Sequence, residues 1–323
     1  MLVATLLASG CSGFRHPDPG EISAEDPDAQ DEDPGTPIEP PPPTTVDKLF
    51  TSRPVFGVSL PELTTAAVAK VTSSAGCQPM LVNRFTSVAA GMSLKTLKSA
   101  KGTPMVSLEP WHSGRGAKQS DFTLKATVDG KWDTQYKKIA QSILAYHDPV
   151  LVRFAHEMNG DWYPWGATNG NTSADFVAAW RHVVDLFRGL GAANVLWVWS
   201  PNILRGASST TINQFWPGPD YVDIVGVTGY GVREPTPDLT FGPTLTLIEA
   251  LTDKPLLLTE TGAKPDSSKP QWISGFGDWL LKYPKILGFV WFQSDRGDDF
   301  RFDDTPANLA SFKNSLKKAR VSC

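Results

Sequence analysis

The segment Arg153–Trp165, RFAHEMNGDWYPW, carries Glu157 off the end of an apolar run and into a cluster of aromatic rings. Rings that shield a carboxyl group from water raise its pKa, which suits it to act as a general acid near neutral pH. A second glutamate, Glu260, closes the apolar run of Pro255–Gly262, PLLLTETG. A carboxylate at the end of an apolar strand costs free energy unless it is paired or used chemically. The plain alternatives are an Arg153–Glu157 ion pair, since residues four apart on a strand share a face, and a salt bridge at Glu260. Two carboxylates meeting across one mouth are the machinery of glycosidic-bond cleavage. A gap of about 5–5.5 Å lets one act as nucleophile, with retention, whereas roughly 6.5–9.5 Å admits a water and gives inversion.

A scaffold must bring these residues together, and a repeat begins at residue 54. Strands are predicted at Val55–Leu60, Met80–Phe85, Pro104–Glu109, Pro149–His156, Val195–Ser200, Val222–Thr228, Pro255–Thr261 and Ile286–Phe292. Amphipathic stretches lie between them, among them Asp133–Tyr146, Ser173–Leu190 and Gln271–Tyr283. Eight βα repeats over about 270 residues fit an α/β fold of the (β/α)8 barrel type. A doubly wound open sheet is the rival, but Pro61-Glu62-Leu63 after the first strand cannot cradle a pyrophosphate as a glycine-rich turn does. In a barrel, the residues at the carboxyl ends of strands share one mouth. Here those are Arg84, Glu109, Trp111-His112, His156-Glu157, Asn202, Tyr230, Glu260 and Trp291.

Charge divides the chain. Residues 1–47 carry a net charge of −9 and the remainder +5. The positive body holds no Lys/Arg cluster, so nucleic acid is not an expected partner. Residues 1–13 read as the remnant of a lipoprotein-type signal, with Leu7-Ala8-Ser9-Gly10 before a lipidation candidate, Cys11; plain secretion is the alternative. Residues 14–47 read as a disordered acidic, Pro-rich linker, and residues 48–323 as a single catalytic domain. The expected location is therefore extracytoplasmic, secreted or held at the membrane through Cys11, and the expected state is a monomer.

Three cysteines are too few for a disulfide scaffold. In a barrel, however, the helices before strand two and after strand eight are neighbours, so Cys77 and Cys323 can form a staple. The histidines lack His-x-x-x-His spacing, and no metal or cofactor is expected. Asp298, Asp299, Asp303 and Asp304 fit no EF-hand spacing and read as a solvated loop paired with Arg296 and Arg301. Eleven tryptophans favour a sugar-binding cleft modestly, because indoles also fill cores.

The body resembles glycoside hydrolase family 26, which holds β-mannanases, mixed-linkage β-glucanases and β-1,3-xylanases. His156-Glu157 with Asn159-Gly160 and Trp162-Tyr163-Pro164-Trp165 is similar to its acid/base signature, and Thr259–Gly262 to its nucleophile strand. Val222–Tyr230 and Phe289–Asp295 resemble its sixth and eighth strands. The resemblance implies a retaining endo-β-glycosidase acting on a β-1,4-linked polysaccharide, foremost mannan, with Glu157 as acid/base and Glu260 as nucleophile. It implies that His156 positions a carboxylate, Tyr230 hydrogen-bonds the nucleophile, Trp291 is a sugar platform and Trp111-His112 flank the acid. Asn159, Trp162, Trp165 and Asn202 complete the expected substrate-binding set. Thr228 departs from the aspartate that many members carry there, which loosens the expectation of strict mannan specificity. An endo-β-1,3-1,4-glucanase is the alternative activity. An inactive carbohydrate-binding surface lipoprotein and an envelope-remodelling transglycosylase are the other readings.

Overall fold

Eight apolar runs pair in chain order and close on themselves. The computed structural model describes residues 39–204, 211–232 and 234–323. Its strands are β1 Val55–Ser59, β2 Leu81–Ser87, β3 Thr103–Glu109, β4 Val150–Phe154, β5 Val195–Trp199, β6 Ile224–Gly231, β7 Leu256–Ala263 and β8 Ile286–Phe292. All neighbours are parallel, and β8 returns to β1. The expected (β/α)8 barrel is the observed fold.

The helices are α1 Val46–Leu49, α2 Thr65–Ala75, α3 Leu94–Leu97, α4 Leu124–Val128, α5 Asp133–Tyr146, α6 Ser173–Gly189, α7 Pro237–Leu251, α8 Lys269–Leu280 and α9 Pro306–Lys318. α6 shows how local sequence builds them. Thr172 and Asp175 form a reciprocal capping box that satisfies the first free N–H groups. Phe176, Ala179, Trp180, Val183, Val184 and Phe187 then recur at helical spacing and are all buried.

Period-two alternation along the strands sorts two cores. Val150, Val152 and Phe154 of β4 face the helices, while Leu151 joins Leu81, Met105, Leu196, Ile224, Leu257 and Leu287 inside the barrel. Phe50, Val46 and Leu49 sit with this interior cluster. Above the apolar layer the interior turns polar. Asn83 joins Ser59 (3.2 Å) to Ser107 (2.9 Å), Arg153 joins Ser107 (3.2 Å) to Ser200 (3.0 Å), and Ser200 meets Thr259 (2.7 Å). This buried belt runs around the barrel from β1 to β7. Gly226 lets it close, because a Cβ there would lie 2.6 Å from the Thr259 methyl and 2.8 Å from Ser200 Cβ.

The last helix ends on a disulfide between Cys77 and Cys323, residues 246 apart in sequence. With the Val55–Ser322 bridge it pins the chain end beside β1, at the seam where β8 meets β1. Residues 44–49 span the expected linker boundary and pack on the body. The Thr44 amide donates to Ala193 O (3.1 Å), and the Thr45 hydroxyl caps α1. Cys11, residues 1–13 and the linker up to residue 38 lie outside the described residues.

Candidate active site

The sequence predicts that β4 runs to His156, but the strand ends at Phe154, because Ala155 (φ 43°) and Glu157 (φ 55°) take left-handed conformations. Such a conformation costs a residue with a Cβ about 1–3 kcal/mol and persists only where the surroundings impose it. They do so here. The Ala155 amide donates to Leu108 O (3.0 Å) and the Glu157 amide to Ser200 O (2.7 Å), which lock the segment between β3 and β5. The Glu157 side chain is buried beneath Trp162, whose indole N–H donates to Oε2 at 2.7 Å. Gly160 makes room for that indole, since a Cβ there would fall 2.4 Å from the ring. Trp162 itself stays 38 % exposed, so one part of the ring touches the carboxylate while the rest is open to a ligand.

Glu260 reaches the same interior by a different device. Val227 pairs with Leu258 and Thr228 with Glu260, so Thr259 is one extra residue in β7. An extra residue breaks strict alternation and re-aims the side chains beyond it. Thr259 and Glu260 consequently both face inward, one into the polar belt and one into the mouth. Glu260 Oε2 accepts from Arg153 Nη1 at 2.9 Å, with both side chains buried. Its Oε1 accepts from the Tyr230 hydroxyl. Burial, and then the negative charge of Glu260, pushes the Tyr230 phenol well above its ordinary pKa, so Tyr230 stays protonated and donates. Tyr163 is raised well above its usual range by burial and by the charges of Glu157, Glu109 and Glu260. Ser200 links the two glutamates: its carbonyl accepts from the Glu157 amide (2.7 Å), and its hydroxyl accepts from Arg153 (3.0 Å), which in turn holds Glu260.

Of the two plain alternatives, the salt bridge at Glu260 is present: Arg153 supplies it, because it belongs to β4 proper and points across the interior. Its other guanidinium nitrogens donate to Ser200 (3.0 Å) and to Thr228, so the hydroxyl at 228 helps to hold Arg153. Trp291 is not a platform. Leu256 pairs with Ile286 and Leu258 with Phe289, so β8 carries an extra residue that turns Trp291 outward. It is buried among Trp272, Phe276, Phe302 and Phe312 and donates to Phe300 O at 2.9 Å. Phe292, one residue later, faces the mouth with Phe85, Tyr230 and Phe300.

Trp165 is also buried. Stacked on Tyr163 at 4.2 Å, it donates to His156 O (2.6 Å) and offers no face to substrate. Trp111, 2 % exposed, packs edge-on against Tyr163 and Trp165. Asn159 spends its side chain on both backbone groups of Asn202, at 2.9 and 2.8 Å, which ties the loops after β4 and β5 together. Asn202 is 8 % exposed and bridges to Thr228. His112 is half-buried against Phe122, with ring centroids 5.0 Å apart. His156 is buried, 3.2 Å from the Tyr163 hydroxyl. The carboxylate beside it is Glu109, 3.9 Å away, which also accepts from Trp111 Nε1 at 3.1 Å. Glu109 is legible in the sequence as a polar strand end but without a role; its position two residues before Trp111 is the available signal.

Comparison with known proteins matches this geometry to a family. Residues 94–255, half of the chain, fit the model of glycosyl hydrolase family 26. Endoglucanase H of Acetivibrio thermocellus is 29% identical over 225 residues, which cover 66% of this chain and 24% of that protein. A mannan endo-1,4-beta-mannosidase of Bacillus subtilis is 31% identical over 185 residues, covering 51% of this chain and 46% of the relative. The chain thus matches less than half the length of either. Among solved structures, the catalytic domain of the Bacillus sp. JAMB-750 GH26 endo-beta-1,4-mannanase superposes with a TM-score of 0.69 at 19% identity, over 87% of this chain and 92% of that one. The family match spans β3, which carries Glu109, and β4 with the segment after it that carries Glu157, and it ends one residue before β7, the strand of Glu260; the chain belongs to glycosyl hydrolase family 26.

Proposed function

We propose that the protein is a retaining endo-β-glycanase that cleaves a β-1,4-linked polysaccharide, foremost a β-mannan, by double displacement. The observation that carries this reading is a pair of buried glutamates at one mouth, one held by Arg153 and Tyr230 and the other beneath Trp162. Glu260 is gripped by Arg153 and by the Tyr230 hydroxyl, which fix its carboxylate in one orientation, as an attacking group needs. Glu157 is oriented by the indole N–H of Trp162, whose ring is partly open to a ligand, so a departing sugar oxygen can meet the carboxyl there. In this mechanism Glu260 attacks the anomeric carbon while Glu157 protonates the departing oxygen. Glu157 then takes a proton from the water that breaks the glycosyl–Glu260 ester.

A β-glucan substrate is the second reading. It is favoured by the similarity to a protein named endoglucanase H and by the neutral Thr228 beneath the mouth. Incubation with galactomannan and with barley mixed-linkage β-glucan, with reducing ends counted, separates the two. Proton NMR of the first-formed anomer tests the mechanism: a β anomer is expected, and an initial α anomer would rule out double displacement. Release of sugar from neither polymer would remove the glycanase reading as stated.

We also propose that the protein works outside the cytoplasm, held by a lipid on Cys11. The disulfide at the barrel seam supports export, since such bonds persist in oxidising compartments. Radiolabelled palmitate should enter the wild-type protein and not Cys11→Ala; equal labelling of both would refute the anchor.

A further inference from the structure

Lys269 opens α8, yet a positive charge at a helix amino terminus opposes the helix dipole. Its side chain is 1% exposed, among the most buried charges in the chain. Burial of an ammonium group is tolerated only when its donors are all satisfied. Here Nζ donates to Asp299 O, Arg301 O and Asp304 Oδ2, each at 2.8 Å. Two carbonyls and a carboxylate match the three donors of one ammonium group, so the buried charge is fully satisfied by this cage of oxygens. The acidic run after β8 is therefore organised by a cation that the chain supplies itself. Arg301 pairs with Asp299 (2.6 Å) and Lys264 with Asp298 (3.2 Å) at its edges.

The loop held in this way reaches the proposed nucleophile. Phe300 lies between two of the Lys269 acceptors in sequence, and its ring centroid is 4.8 Å from that of Tyr230, which donates to Glu260. Phe300 also presses on β7, where a Cβ on Gly262 would meet Phe300 Cβ at 3.3 Å. The far end of the cage is equally anchored: Asp304 Oδ1 accepts from Asn308 Nδ2 (2.7 Å) at the start of α9.

We propose that Lys269 is a positioning residue for the reaction, an internal cation that holds Phe300 against Tyr230 and so aims Glu260. This rests on the reading of Glu260 as nucleophile. Lys269→Met keeps the stem and removes the charge. It should lower kcat at least about tenfold while KM changes less than about twofold, since slight misplacement of reacting groups alone is costly. Phe300→Ala should show the same split. The double variant should lose no more than the greater single loss, because both act through one contact. Lys269→Ala should regain activity in millimolar n-propylammonium, the missing part of the side chain, and not in equal sodium chloride.

Hydrogen exchange of residues 294–305 supplies a reading independent of catalysis. Exchange should quicken in Lys269→Met, whether or not the wild type cleaves a given polymer. A lower melting temperature with kcat unchanged, or multiplicative losses in the double variant, would overturn the proposal. Failure of the nucleophile reading would instead show as full activity in Glu260→Gln.

Discussion

Glu260→Ala is expected to lower kcat on polysaccharide by about 10⁴- to 10⁶-fold, the scale on which removing a nucleophile acts. The loss has two sources in this site. No atom remains to form the glycosyl ester, and Arg153 is left as a buried charge whose carboxylate is gone. Breaking a buried pair from one side destabilises by about 3–5 kcal/mol, so activity must be read beside a thermal melt. Glu260→Gln is the companion variant, since its amide oxygen can still accept from Arg153 while its carbon skeleton is unchanged. It should melt near the wild type and remain inactive. The cavity in Glu260→Ala keeps a cation and a hydroxyl donor, so azide should bind there and attack in place of the carboxylate. An α-glycosyl azide is the expected product from a β-aryl glycoside. Wild-type rates in Glu260→Gln would end the assignment.

Glu157→Ala is expected to cost about 10²- to 10⁴-fold on polysaccharide, the usual worth of a positioned acid or base. The effect should depend on the leaving group. An alkoxide departs only when protonated, whereas a nitrophenolate departs unaided, so the aryl glycoside should still load the enzyme rapidly. The glycosyl ester then waits for a water that nothing deprotonates, and a burst followed by slow turnover is expected. Azide needs no base and should restore turnover, with a β-glycosyl azide as product. The opposite anomers expected from the two variants separate the roles of the two glutamates, and azide products of one configuration from both would contradict them. Trp162 loses its carboxylate partner in this variant but remains seated over Gly160, so the fold should be little affected.

The corrections at the site have a common origin. Trp291 and Phe292 are adjacent aromatics, and a strand's own alternation cannot say which faces the mouth. The answer comes from the extra residue between Ile286 and Phe289, a property of the pairing between β7 and β8. The same holds for Thr259 and Glu260, which strict alternation would send to opposite faces. Trp162 and Trp165 flank a Tyr-Pro pair in one short segment, yet only Trp162 is exposed, because the side chain of Trp165 is tied to His156 O. Arg153 is visible in the sequence as a charge in an apolar strand, but four carboxyl or hydroxyl groups lie within its reach, and their arrangement comes from ring closure. Lys269 lies before the helix that the sequence predicts from Gln271, and nothing local marks it, because its acceptors lie 30 to 35 residues further along.

Patterns internal to a segment were enough for the alternation of strands and helices, the barrel they close, and the placing of Glu157 just after the fourth strand and Glu260 on the seventh. Those depend on periodicity and burial, which neighbouring residues specify among themselves. Which carboxylate holds the arginine, which indole meets solvent and which lysine holds the segment after β8 were decided when eight strands met around a ring. The pairing within that ring leaves extra residues in β7 and β8, and a one-residue shift reverses the face of every side chain beyond it.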